Sequence, residues 1–377
     1  MKDLSKLKVA IVHDYLTDYG GAEKVVNAIF ELFPNAIIYT AVKNEEKLHK
    51  AGAFLNAKIN APKLNGLFGK FKKFFIFSYP LYFETLKLDR YDLVITSTAH
   101  FAKGIITGGK TLHICYMHTP TRFLWGLKTE TSIRDNIFFK YPLKIADVFL
   151  RMWDFAAAQR PDYIITNSNT TLERIKKFYK RDAKIIYPFY DSTLSKEELD
   201  KVEPKMGRYY FTISRKGKYK NLDLIAKTFE NLKKNIVIAG EGSLSNELQK
   251  YKKSNYVKLA GFLGETEKIS YLKGCKAFVL ATENEDFGIT PIEAQSFGKV
   301  VIALNSGGFR ETVDEKIGIL FDNPTEEDLK NAILHFEKNE KKFNKEDIIK
   351  NAEKYSKANF QKQFVNFIEE KLKEFNK

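Results

Sequence analysis

Cysteine is scarce: 377 residues carry two, Cys115 and Cys275, each inside an apolar run and with no CxxC or Cys/His spacing. That scarcity excludes a disulfide framework and a zinc site, and a reducing compartment fits it. Long hydrophobic runs are lacking too. Met1–Leu7 is polar and leads into a short apolar run closed by His13 and Asp14, too short for the core of a secretion signal. The longest uncharged aromatic stretch, Phe74–Phe83, reaches only half of the roughly 20 residues a spanning helix needs. The expectation is a cytoplasmic protein that does not cross a membrane. There is no GxGxxG fingerprint, which speaks against a nicotinamide enzyme, and no recognised nucleic-acid module, internal repeat or low-complexity tract.

What is present is apolar content of 44% and a basic excess, 62 Lys plus Arg against 47 Asp plus Glu, for a net charge of +15. The length exceeds the roughly 150 residues that one core serves, so two domains are expected. Position gives the charge its meaning: up to Tyr190 there are 29 basic and 17 acidic residues, beyond it 33 and 30. The excess belongs to the first half, where it suits an anionic surface or a phosphorylated substrate.

Short runs rich in Val, Ile and Tyr recur between stretches of helical period: Lys8–Val12, Ala36–Tyr39, Asp92–Thr96, His113–Met117, Tyr163–Thr166 and Ala183–Tyr187. The alternation resumes at Tyr209–Ile213, Asn235–Ala239, Tyr256–Leu259, Ala277–Ala281, Val300–Leu304 and Gly318–Phe321. Fully apolar strands alternating with helices predict an α/β fold with parallel sheets covered on both faces. Asp191–Gly207, charged and poor in apolar residues, reads as the connection between two doubly wound domains, 1–190 and 191–357. Such domains place ligand-binding loops at the C-terminal ends of their strands. The final segment, 358–377, carries Phe360, Phe364, Phe367, Ile368, Leu372 and Phe375 at mostly helical spacing and reads as a helix packing back on the N-terminal domain.

The most informative stretch is Thr282–Gly298, TENEDFGITPIEAQSFG. Thr290 and Pro291 read as the N-cap and first residue of a helix, so Glu285 lies in a loop and Glu293 within the helix. A strand end, a glycine loop and a helix N-terminus offer N–H donors to an anion or a sugar, while carboxylates accept from hydroxyls. The alternative is an acidic surface loop that only caps a helix.

Seven residues separate Glu285 from Glu293, with FGITPIEA around the second. This spacing resembles the E-x7-E motif of the family 4 retaining glycosyltransferases, and the likeness extends over nearly the whole chain. FGITPIEAQ looks most like bacterial enzymes that use GDP-mannose in surface polysaccharide assembly. The resemblance implies the GT-B fold: two Rossmann-like domains facing a cleft, the N-terminal one for the acceptor and the C-terminal one for the donor. It implies that Glu285 and the backbone of Phe287, Gly288 and Ile289 hold the transferred sugar, and Glu293 the nucleotide ribose.

Further segments resemble the family's loops. Arg215 and Lys220, in SRKGKYKN after the first strand of the second half, are similar to the basic pair that neutralises the donor diphosphate in place of a metal ion. Gly20 and Gly21, in GGAEK after the first strand, allow close approach of backbone to a ligand and resemble the family's first loop. Gly242 and Leu263 lie in glycine-bearing loops similar to those flanking the nucleotide base. His118 ends an apolar strand in CYMHTPTRFLW, and the resemblance places it near the anomeric centre. Arg122 and Trp125 shape the acceptor site or simply pack.

The expected activity is transfer of a sugar, mannose from GDP-mannose first, to a glycan or lipid-linked glycan, with no metal and no cofactor beyond the donor. A UDP-sugar enzyme of the same fold is the alternative, followed by a GT-B epimerase or phosphorylase and by a non-catalytic binder of anionic surfaces. Gly66–Leu88 mixes Lys70, Lys72 and Lys73 with Phe68, Phe71, Phe74, Phe75 and Phe77, which suits peripheral contact with an anionic membrane as well as a covered core edge.

Overall fold

The computed structural model describes residues 4–62, 77–129, 137–192 and 194–375. Its described residues divide into two compact units: one gathers 4–62, 77–127, 137–189 and 357–375, the other 128–129, 190–192 and 194–356.

The first unit is built on a seven-stranded sheet of β1 (Val9–His13), β2 (Ile37–Thr40), β3 (Lys58–Asn60), β4 (Leu93–Thr98), β5 (Leu112–Met117), β6 (Tyr163–Thr166) and β7 (Lys184–Ile185). Spatial order is β3-β2-β1-β4-β5-β6-β7, and every pairing is parallel. Alternate residues of β1 serve opposite faces. Val9 and Ile11 join Phe30 of the helix Gly21–Leu32 together with Phe360, Phe364 and Ile368 of the last helix, Lys357–Phe375. Ala10 and Val12 join Tyr79, Phe83 and Phe101 on the other face. Burial on both faces is why these strands read as continuous apolar runs.

The second unit repeats the plan with six parallel strands: β8 (Tyr210–Ile213), β9 (Ile236–Ala239), β10 (Val257–Gly261), β11 (Ala277–Leu280), β12 (Val300–Leu304) and β13 (Gly318–Phe321), in the order β10-β9-β8-β11-β12-β13. Tyr210 packs with Phe229 and Phe336 on one face, and Phe211 with Tyr271 and Phe278 on the other. Each sheet reverses its order once, between β1 and β4 and between β8 and β11. These are the switch points, where open α/β sheets bind ligands beyond the carboxyl ends of their strands.

Two details add to the sequence reading. Strand β3 is an additional edge strand, its Lys58 exposed and its residues paired to β2 through the backbone. The connecting stretch contains a helix, Lys196–Lys201, in which Ser195 and Glu198 cap each other's backbone amides. The expected Gly66–Leu88 membrane segment lies, as far as Ile76, outside the described residues.

Candidate active site

At the switch point of the second sheet, β8 delivers the loop Ser214–Asn221 and β11 the loop after Leu280. Their backbones are tied together: the Glu283 N–H donates to the Tyr219 carbonyl at 2.9 Å, and Asn221 Nδ2 donates to the Ala281 carbonyl at 2.9 Å and to Glu283 at 3.2 Å. Asn221 itself takes a left-handed conformation, φ 52°, which asparagine tolerates. This stitching brings Lys220 Nζ to 2.7 Å from Glu285 Oε2, with the ammonium 4.8 Å from the Tyr219 ring centroid. Burial alone would lower the Lys220 pKa, but the Glu285 charge and Tyr219 beside it hold it above the usual lysine value. The lysine therefore stays a cation inside a partly dehydrated site.

Arg215, expected beside Lys220, lies on the exposed rim of the same loop, with no carboxylate partner among the described residues. The glutamate loop is shaped by glycine. Gly307, at φ 61°, lies so close to the Glu285 backbone that a Cβ there would collide with its carbonyl, and the Gly308 N–H donates to that carbonyl at 3.0 Å. The helix after this loop is Ile289–Ser296 with Gly288 as N-cap at φ 85°. It therefore starts ahead of the Thr290–Pro291 start expected from sequence, because glycine accepts the turn that brings Ile289 directly into helix. Phe287 is buried against Tyr355, whereas Gly288 and Ile289 are partly exposed.

Glu293 sits inside that helix and faces Lys268 of the helix Glu265–Gly274 at 3.6 Å, while Lys268 also holds Glu265 at 2.9 Å. These three line a cavity with Tyr190, Lys196 and Phe297. Burial would lower the Lys268 pKa, but the two carboxylates raise it.

Gly242 and Leu263, expected to flank the base, both take part in packing. A Cβ on Gly242 would come within 2.8 Å of the Arg215 carbonyl, so this glycine is required for packing one loop on the other. Leu263 is enclosed in the core with Phe211 and Tyr271, whereas its neighbour Phe262 is exposed.

The switch point of the first sheet is more deeply buried. Asp14, after β1, accepts from the Thr98 hydroxyl at 3.0 Å and from the N–H groups of Ala99, His100, Phe101 and Ala102 at 2.7–2.8 Å. Burial would raise its pKa, but the nearby His100 and His13 and these amides hold it below the usual aspartate value. His13 Nδ1 lies 2.8 Å from the Ser97 carbonyl, and its Nε2 lies 3.7 Å from Glu23. Burial opposes the His13 charge, yet Glu23, Asp14 and that carbonyl together raise its pKa. Glu23 also accepts from the Gly20 N–H at 2.9 Å, so Gly20 caps the helix that Gly21 begins and its amide is already engaged.

His118 follows β5 with Nε2 2.8 Å from Ser97 Oγ and its ring 6.5 Å from that of His13. Burial and the charge of His13 push its pKa down to about 4, so the imidazole is neutral at neutral pH. Trp125 is committed to packing: its Nε1 donates to the buried Asp154 at 2.7 Å and its ring stacks on Phe178. Arg122 opens the same turn, its carbonyl accepting from the Leu127 N–H at 3.0 Å. Sequence reading left His13, Asp14, Glu23 and Lys268 without roles, although His13 and Asp14 at a strand end ahead of Gly20-Gly21 were a usable signal.

Two doubly wound parallel-sheet domains with charged clusters at both switch points fit the GT-B plan. Residues 19–194 match Glycosyltransferase Family 4 and residues 195–355 match Glycosyl transferases group 1; the chain belongs to the family 4 glycosyltransferases. It is similar to alpha-1,3/1,6-mannosyltransferase ALG2 of Dictyostelium discoideum, 24% identical over 88% of this chain and 90% of that protein. It is also similar to the O-antigen chain mannosyltransferase RfbU of Salmonella typhimurium, 27% identical over 58% of this chain and 63% of the relative. Among solved structures, Anabaena HepE in complex with UDP superposes with a TM-score of 0.68 at 16% identity, covering 97% of this chain and 100% of that one.

Proposed function

We propose that this glycosyltransferase moves mannose from GDP-mannose to a hydroxyl of a glycan or lipid-linked glycan, retaining the anomeric configuration and using no metal ion. The observation that carries the reading is the Lys220–Glu285 pair, a cation and a carboxylate 2.7 Å apart at a switch point. Similarity to mannosyltransferases supports the sugar.

As the bond from the sugar C1 to the diphosphate breaks, negative charge collects on the leaving group. Lys220 and Arg215 offset that charge more in the transition state than in the ground state. The acceptor hydroxyl attacks C1 on the same face and passes its proton to the departing phosphate oxygen, so no side-chain nucleophile is required. Glu285 accepts hydrogen bonds from the sugar hydroxyls and Glu293 from the ribose, while the backbone of Gly288 and Ile289 donates. His118, neutral and with Nε2 engaged by Ser97, offers Nδ1 to the sugar without adding positive charge beside an oxocarbenium-like centre.

Calorimetry tests this with GDP, UDP and ADP, then GDP-mannose against UDP-glucose, on the wild type and on Arg215→Ala/Lys220→Ala. Preference for GDP and GDP-mannose, lost in the double variant, is the expected result. Preference for UDP would discard mannose and keep the enzyme class, and no nucleotide binding would overturn the assignment of the site.

A further inference from the structure

The long helix Ile137–Ala157 of the first unit carries two acidic residues and, from residue 145 to 155, several exposed apolar ones. Its acids point inward. Asp147 is buried, and Asp154 is fully enclosed, accepting from Thr121 at 2.7 Å, Trp125 at 2.7 Å and Tyr179 at 2.6 Å and pairing with the buried Lys103 at 2.6 Å. Leu150 enters the core beside Phe101. These contacts fix the rotation of the helix and hold its other side to solvent. That side carries Ile145, Val148, Phe149, Met152 and Phe155, exposed by 66, 49, 68, 66 and 39%.

The spacing of these five is that of one helix face, running about 15 Å along the axis at the ordinary rise per residue. Exposed apolar surface that is continuous over such a length marks an interaction site. The exposed ions among residues 143–157 are Lys144 and Arg151, and both acids of that stretch are buried. Glu84, bound by Trp153 at 2.7 Å and Arg160 at 2.6 Å, ties on the helix Ser78–Glu84, which exposes Leu81. No described helix is long and apolar enough to cross a membrane.

We propose that the Ile145–Phe155 face docks on an anionic lipid bilayer, lying in the interface with Phe149 and Met152 inserted among the acyl chains and Lys144 and Arg151 at the headgroups. Charge complementarity selects this occupant: an apolar face flanked by cations, with its acids inward, on the half of the chain that carries the basic excess. The reading is independent of donor chemistry and assigns the contact to a helix other than the Gly66–Leu88 segment.

The test is flotation of the full chain with vesicles of phosphatidylcholine alone and of phosphatidylcholine doped with phosphatidylglycerol, at two salt concentrations. Binding is expected to the doped vesicles, to fall with salt, to weaken more than about tenfold in Phe149→Ser/Met152→Ser, and about fivefold in Lys144→Glu. Circular dichroism melting and GDP calorimetry on each variant confirm that the fold and donor domain are retained. Three results overturn the proposal: no wild-type binding to doped vesicles; binding that Phe149→Ser/Met152→Ser leaves intact while Lys70→Glu/Lys72→Glu/Lys73→Glu abolishes it; or a wild-type dimer that Phe149→Ser/Met152→Ser converts to monomer.

Discussion

The two switch points are built from the same topology and treat their carboxylates in opposite ways. In the first domain Asp14 is closed off by four backbone N–H groups and a hydroxyl, and Glu23 is shared between a helix N-terminus and His13. In the second, Glu285 and Glu293 instead face lysine ammonium groups, at 2.7 and 3.6 Å. A carboxylate saturated by backbone amides is structural, since no ligand can match that many donors at once. One opposed by a flexible lysine can exchange partners with an incoming diphosphate or hydroxyl.

The largest test of this contrast is Asp14→Ala. It leaves the N–H groups of Ala99, Phe101 and Ala102 without this acceptor, while that of His100 keeps Thr98 Oγ1 at 3.1 Å, and should cost at least about 3 kcal/mol of stability, read from urea unfolding midpoints. Glu285→Ala should cost far less stability while abolishing turnover; equal destabilisation by the two changes would break the comparison.

Next comes Lys220→Ala. If this ammonium stabilises charge on the leaving group, kcat falls about 10²- to 10³-fold with little change in melting temperature. Lys220→Arg keeps the charge but not the compact geometry beside Tyr219, and should recover part of the loss.

The first domain's histidines sharpen the comparison through pH. His118, with its pKa down at about 4, contributes stability that is fully present above about 6.5 and lost as pH falls toward 4. His13, with its pKa raised, contributes stability that is fully present below 6.5 and lost as pH rises through the raised value. Ring nitrogen NMR should show His118 neutral at pH 6.5 and His13 holding its second proton to higher pH than His118 does. The opposite assignment would remove the reason for His118 to act as an uncharged group.

How far the sequence carries this picture follows from how local each feature is. The apolar runs of β4, β5 and β12 are legible because both faces of each are buried, and the alternation of such runs with helices implies the sheet plan. Strand β3, Lys58–Asn60, is three residues with an exposed lysine, held by backbone pairing that leaves no pattern to read. Glu285 and Glu293 are legible because their spacing falls within one loop and one helix. Asp14 is not, because the amides it caps lie 85–88 positions away. The outward apolar face of Ile137–Ala157 also escapes, since periodicity shows where apolar residues cluster on a helix but not which side a buried Asp154 turns to the core.

The smallest expected effect is at Glu293, where the two kinds of carboxylate come closest together. It is mostly buried like those of the first domain, yet its cation, Lys268, stands at 3.6 Å and is nearer to Glu265 at 2.9 Å. A ribose contact and a structural ion pair with Lys268 predict different nucleotide dependence. If Glu293 accepts from the ribose, Glu293→Gln weakens GDP about tenfold by calorimetry, as expected for a hydrogen bond to a charged group, and has little further effect on whichever of 2′-deoxy-GDP and 3′-deoxy-GDP lacks the contacted hydroxyl. If it only pairs with Lys268, all three nucleotides weaken equally, the melting temperature falls with them, and the exchangeable carboxylates of the second domain reduce to Glu285 alone.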